Sequence, residues 1–192
     1  MVLQEIQELR PPFHFWTFVR YPPGLPPQLC ATKKTDMTNK FILLSTLIAY
    51  SFIVSQSLMY ILSLKDVQYH LNAASYTEFR KLVDASMRAN FKYVIYAALA
   101  FSLLLVILNS KTPGSLVFIS SLVALIALLI DILLTLKGNL PINDSINSWP
   151  ADAIPANWTS VREKWFYIFQ FRQIANITGF AALLIAAVFG TK

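Results

Sequence analysis

One cysteine, Cys30, and two histidines, His14 and His70, are the whole supply of thiol and imidazole groups in this chain of 192 residues. A lone cysteine excludes an intramolecular disulfide, a dithiol pair and a covalent haem motif. His14 lies in the N-terminal segment and His70 outside the long apolar runs, so one chain cannot supply a bis-histidine haem site within a membrane. No glycine-rich phosphate loop, serine elbow or zinc-ligand spacing occurs, and the sequence points to no metal and no cofactor. Charge is scarce as well. Only 14% of residues are charged against 56% hydrophobic, which is too apolar for an ordinary soluble domain.

What abounds is long uncharged sequence. A hydrocarbon core of about 30 Å requires roughly 20 helical residues. Four segments qualify: 41–63, which carries no charge; 91–109, uncharged from Tyr93 to Leu108; 113–136, interrupted only by Asp131; and 165–190, interrupted only by Arg172. Lipid offers no partner to backbone N–H and C=O groups, so such segments must be helices. The expected fold is all-α and integral to a membrane, a four-helix transmembrane bundle. The net charge of +6 comes from basic residues that flank the spans and form no stripe. Anionic lipid headgroups, and not nucleic acid, are their expected counterpart.

Residues 1–36 read differently from the rest. Pro11, Pro12, Pro22, Pro23, Pro26 and Pro27 interrupt them, and little fixed structure is expected before Thr35. Met37 leads directly into the first span and is an equally good start, which would make 1–36 an extension to a membrane domain of 37–192. In the first loop, Ser75-Tyr76-Thr77-Glu78 has capping-box spacing. Tyr76, Phe79, Val83 and Met87 then recur at helical spacing, with Arg80, Lys81, Asp84 and Arg88 between them. The pattern predicts an extramembrane helix running unbroken into span two. The third loop, 138–159, contains Pro141, Pro150 and Pro155 and is expected to be irregular, with Ser160-Val161-Arg162-Glu163 as a second capping box.

The two charges inside the spans are the strongest functional signal, because an ionisable side chain in hydrocarbon is costly and marks a site by default. Asp131 lies six residues inside Lys137, and Arg172 lies seven residues past Trp165. At the helical rise both are about 10 Å deep in the same leaflet, so they are expected to meet. Trp165, Phe169, Arg172, Asn176 and Gly179 form one stripe of the last span, Ala124, Ala127, Asp131 and Thr135 one of the third, and Gln56, Tyr60 and Ser63 one of the first. A polar pocket follows, open toward loops one and three. Its candidate catalytic residues are Asp131 and Arg172, and its candidate substrate-binding residues are Gln56, Tyr60, Tyr93, Asn143, Trp165 and Asn176. The plainer alternative is a buried ion pair that only fixes helix register.

One stretch has a family likeness. Asn139-Leu140-Pro141-Ile142-Asn143-Asp144 directly after a span, then Asn157-Trp158, Arg162, Trp165 and Arg172 at the opening of the last span, resembles the anthrone-oxygenase-like family of small four-helix membrane proteins. The likeness covers the chain from about Met37 onward, with its motifs in the last third. It implies oxidation of an aromatic or quinone-like molecule without a cofactor, in a bacterial plasma membrane. Carried over by position, Pro141, Asn143, Trp158, Arg162, Trp165 and Arg172 match the family pattern. Gln170 stands where members often have histidine or asparagine shortly before the final arginine. In this reading Asp131 is the base, with Arg172, Asn176 and Tyr60 around a developing oxyanion. The competing class is a non-enzymatic membrane binding, transport or accessory protein. The absence of an inverted repeat or a broken helix argues against a secondary transporter.

Overall fold

The computed structural model of the protein describes residues 27–190, with side chains from Met37 to Gly190. The expectations for residues 1–26, His14 among them, lie outside the described residues. Six α-helices follow in order: α1 (Pro27–Met59), α2 (Lys65–His70), α3 (Ala73–Asn109), α4 (Leu116–Leu134), α5 (Leu140–Asn147) and α6 (Trp158–Phe189). Single π-helical turns join α1 to α2 (Tyr60–Leu64) and α4 to α5 (Thr135–Asn139). No strand occurs among the described residues. Helix α1 begins at Pro27, ahead of Thr35. A proline is accommodated in the first turn of a helix, where its missing N–H would have had no partner.

Among the described residues four helical stretches are long and apolar enough to cross a membrane: Met37–His70, Ala73–Asn109, Leu116–Asn147 and Trp158–Phe189. Large apolar side chains such as Phe52, Leu62, Leu133 and Val188 point outward from them. Soluble proteins rarely present continuous apolar patches of that kind, and here the outward faces are suited to lipid. The chain is an all-α, four-helix integral membrane protein. Helix α3 is the least covered, with 17% of its most apolar stretch buried, so most of that span faces outward.

Lipid tails are as apolar as leucine, so close packing of small residues holds such bundles together. Helices α4 and α6 pack along their length, with Ala124 and Ala127 facing Gly179, Leu183 and Ala186. Gly179 is required there: a Cβ at this position would collide with the Tyr50 hydroxyl and lie 2.7 Å from its Cζ and 3.1 Å from the Ala127 Cβ. The Tyr50 hydroxyl donates to the Ala124 carbonyl at 3.1 Å, which ties α1 to α4. This apolar core lies toward the α3–α4 hairpin. A second core, rich in aromatics, lies toward the other loops around Tyr60, Tyr76, Ile146, Trp165 and Phe169. A polar layer separates the two.

Four local expectations are corrected. The cap of α3 is Asn72, whose Oδ1 accepts from the Ser75 N–H at 2.9 Å, so Ser75 is not the cap. Helix α6 starts at Trp158, which leaves Ser160 inside its first turn. The third loop contains helix α5 despite Pro141, again because a proline suits a first turn. Span three begins at Leu116, where Ser115 caps it by accepting from the Phe118 N–H, and not at Pro113. The long helix through loop one into span two is present as α3.

Candidate functional site

Asp131 of α4 and Arg172 of α6 meet, as their depths require. Arg172 Nε donates to Asp131 Oδ1 at 2.8 Å, and the carboxylate is 1% exposed. Asn176, one turn further along α6, donates from Nδ2 to the same oxygen and to Ser57 Oγ of α1, each at 3.3 Å. Arg172 also donates to Asn139 Oδ1 at 3.2 Å, and Asn139 in turn donates to the Trp165 carbonyl at 3.0 Å. Among the described residues both donors fall on Oδ1, so Oδ2 of Asp131 accepts no hydrogen bond from them.

A second network lies nearer the loops, and sequence reasoning missed most of it. Asn143 of α5 is its hub. Its Oδ1 accepts from Arg80 Nη2 and from Trp165 Nε1, each at 2.8 Å, and its Nδ2 donates to Asp84 Oδ1 at 2.7 Å. Asp84 also accepts from Asn147 and from Arg88, each at 2.7 Å, and Arg88 reaches on to Asp144. Arg80 donates to the Tyr60 hydroxyl at 3.1 Å and its Cζ lies over the Trp165 ring, 3.9 Å from its centroid. The ring stacks on Phe169 with centroids 4.8 Å apart.

The sequence pattern placed Arg80 and Asp84 between the apolar positions of an extramembrane helix. In the structure Tyr76, Arg80 and Asp84 are the buried stripe, at spacings of four. The inward face is polar because its partners, Tyr60, Asn143 and Asn147, are polar. The signal available beforehand was this i, i+4 repetition of long polar residues opposite an asparagine-rich α5.

Between the two networks lies a cavity of about 490 Å³. Its walls are apolar on α3 and α4, through Phe91, Ile95, Leu99 and Ile132, and polar at Tyr60, Arg80, Asp131, Asn143, Trp165 and Arg172. Of the expected site residues, Asp131, Arg172, Gln56, Tyr60, Asn143 and Trp165 line it. Asn176 does not; it stands behind Asp131 and positions the carboxylate. Tyr93 is placed elsewhere: it is 63% exposed, under the Lys92 ammonium. It lies two residues from both Phe91 and Ile95, and two residues on a helix turn a side chain to the opposite face. Ser63 is also exposed, because the π turn beginning at Tyr60 shifts the register that would have kept it on the inward stripe. Both π turns border the cavity, through Tyr60 and through Thr135 and Asn139. Such insertions often re-aim side chains at functional sites.

Arg162 and Trp158, which the family pattern also contains, belong to a separate assembly. The Arg162 guanidinium lies 4.7 Å from the Tyr69 ring centroid and 4.8 Å from that of Trp158. It donates to the Gln68 and Tyr69 carbonyls, so it ties α6 to the end of α2. His70 is exposed on α2, where its Nδ1 lies 2.9 Å from the Asp66 carbonyl. Among the described residues no group of three or more His, Cys, Asp or Glu is placed to hold a metal ion.

A preformed, mostly apolar cavity with a few convergent polar groups is the usual form of a small-molecule site. Here it lies within a bundle whose outer surface is suited to lipid. The chain matches no protein-family model, no curated protein and no solved structure.

Proposed function

We propose that this protein takes a flat, largely apolar aromatic or quinone-like molecule from the membrane into the cavity between α1, α3, α4 and α6 and oxidises it with molecular oxygen, without a bound cofactor. The observation that carries the proposal is the position of Asp131. It is a carboxylate on the wall of a preformed cavity, with one oxygen fixed by two donors and the other left without one. That is the arrangement a general base requires, since it is held in place yet has an acceptor to spare. The likeness of the 139–172 segment to the anthrone-oxygenase-like family points the same way, and on that reading the membrane is a bacterial plasma membrane.

The chemistry is balanced by oxygen alone. Asp131 takes a proton from an acidic ring C–H. The electron pair delocalises onto a ring oxygen, the carbanion adds O₂ to give a hydroperoxide, and loss of water leaves a carbonyl. One oxygen atom ends in the product and the other in water. Tyr60 accepts from Arg80, which leaves its own O–H to donate to the developing ring oxygen. Arg172, which also lines the cavity, is the second cation beside that oxygen.

A second reading, a non-enzymatic binding or accessory protein, is favoured by the linkage of Asp131 to three elements, α1, α4 and α6, through Asn176, Ser57 and Arg172. Oxygen uptake separates the two. Vesicles containing the full chain are given anthrone, and consumption is followed against vesicles without protein. Catalysis predicts uptake matched one to one with anthrone lost, and a fall of about 100-fold or more in Asp131→Asn, the range of general-base contributions. Uptake equal in the two proteins removes Asp131 as a base. Uptake no faster than in empty vesicles favours the second reading.

A further inference from the structure

Arg80 stands out among the buried ionised groups of the site because no carboxylate of the described residues pairs with it. It is 3% exposed. Asp84, one turn away, is occupied by Arg88, Asn143 and Asn147, and reaches Arg80 only through the neutral Asn143 amide. Burying an unpaired charge is costly, and native proteins pair such groups or place them against a ligand. The stacked Trp165 ring offsets part of that cost. It provides no anion.

The guanidinium also has donors to spare. Nη1 and Nη2 each serve one partner, Tyr60 and Asn143, and Nε has none although it is buried. Arg80 lines the same cavity as Asp131. The charge along that wall is unbalanced: Arg80, Arg88, Lys92 and Arg172 face only Asp84 and Asp131. Arg172 and Arg88 are matched with these carboxylates; of the two cations left over, Lys92 is exposed beside the Tyr93 ring and Arg80 is the buried one.

We infer that Arg80 is the anchor for an anionic oxygen of the ligand, so that the cavity selects an amphiphile with a flat apolar body and a carboxylate or enolate group at one end. The inference rests on the reading of the cavity as a small-molecule site and names the class of molecule it takes. Trp165 fixes the guanidinium plane, and Tyr60 and Asn143 fix its rotation, so the ligand meets a preorganised cation. The apolar body then extends along Phe91, Ile95 and Leu99, which brings its far part past Asp131.

The test uses two probes of equal shape, anthracene-9-carboxylate and 9-anthracenemethanol, titrated by fluorescence anisotropy into the full chain in phosphatidylcholine nanodiscs. Only binding removed by Ile95→Trp, which fills the cavity, is counted. The wild type is expected to hold the carboxylate at least about tenfold more tightly than the alcohol, Arg80→Gln to abolish that preference, and Arg80→Lys to keep part of it. Equal affinity for the two probes in the wild type overturns the anionic anchor and needs no variant to fold. Equal affinity with full sensitivity to Ile95→Trp leaves the cavity reading intact. Binding of neither probe that responds to Ile95→Trp overturns the cavity reading and the anchor with it. In phosphatidylglycerol nanodiscs, Arg80-dependent displacement of the carboxylate probe retains the anchor but assigns the anion to a lipid headgroup.

Discussion

Removing one member of the Asp131–Arg172 pair should cost far more than removing both. The pair's side chains are 1% and 10% exposed, so neither charge left alone has water to turn to. Arg172→Met would leave the carboxylate with Asn176 as its remaining donor. Asp131→Leu would leave the guanidinium with only Asn139. Breaking a buried pair in this way costs about 3–5 kcal/mol, whereas replacing both partners by apolar residues of similar volume is often neutral or stabilising. Each single variant is therefore expected to lose about 3 kcal/mol or more, and Asp131→Leu/Arg172→Met to lie within about 1 kcal/mol of the wild type. Equilibrium unfolding in mixed dodecyl maltoside and dodecyl sulfate micelles, followed by tryptophan fluorescence, gives all three values. A double variant that loses the sum of the two single losses would refute the reasoning. It would mean that the groups are solvated separately and that the 2.8 Å contact carries no coupling.

Other variants probe the surrounding structure. Gly179→Ala forces a methyl group against the Tyr50 ring and should cost about 1–3 kcal/mol, and adding Tyr50→Phe should recover part of it in the same unfolding assay. Asn143→Leu leaves Arg80, Trp165 and Asp84 each short of a hydrogen bond, and at about 1–3 kcal/mol per orphaned group should lose more than about 3 kcal/mol. Asn72→Ala should cost about 1 kcal/mol and speed hydrogen exchange in the first turn of α3, while Ser75→Ala leaves that exchange unchanged.

The bundle was legible because lipid leaves the backbone so few choices: long uncharged runs become helices, and a charge within one must face inward. The same logic brought Asp131 and Arg172 together from their depths alone. The outer network was not legible for a physical reason. Arg80, Asp84 and Arg88 lie between the apolar positions of a helix outside the spans, and polar residues at such spacing usually face solvent. Only the fold of α5 over them, begun by Pro141 and tied through Asn143, turns that face inward. The π turns at Tyr60–Leu64 and Thr135–Asn139 were hidden too, since an added residue per turn leaves no periodic mark over five positions. Tyr93 was misplaced because depth was read without azimuth.

The central claim, that a discrete lipid-soluble molecule occupies the cavity beside Asp131, is tested most directly by mass spectrometry of small molecules co-purifying with the full chain in mild detergent. Wild type is compared with Ile95→Trp and Asp131→Asn. The account predicts one aromatic or quinone-like compound, near one per chain, present in the wild type and lost in Ile95→Trp, with retention in Asp131→Asn marking that residue as a reactant and not an anchor. Phospholipids alone, in equal amount in all three folded proteins, would contradict it.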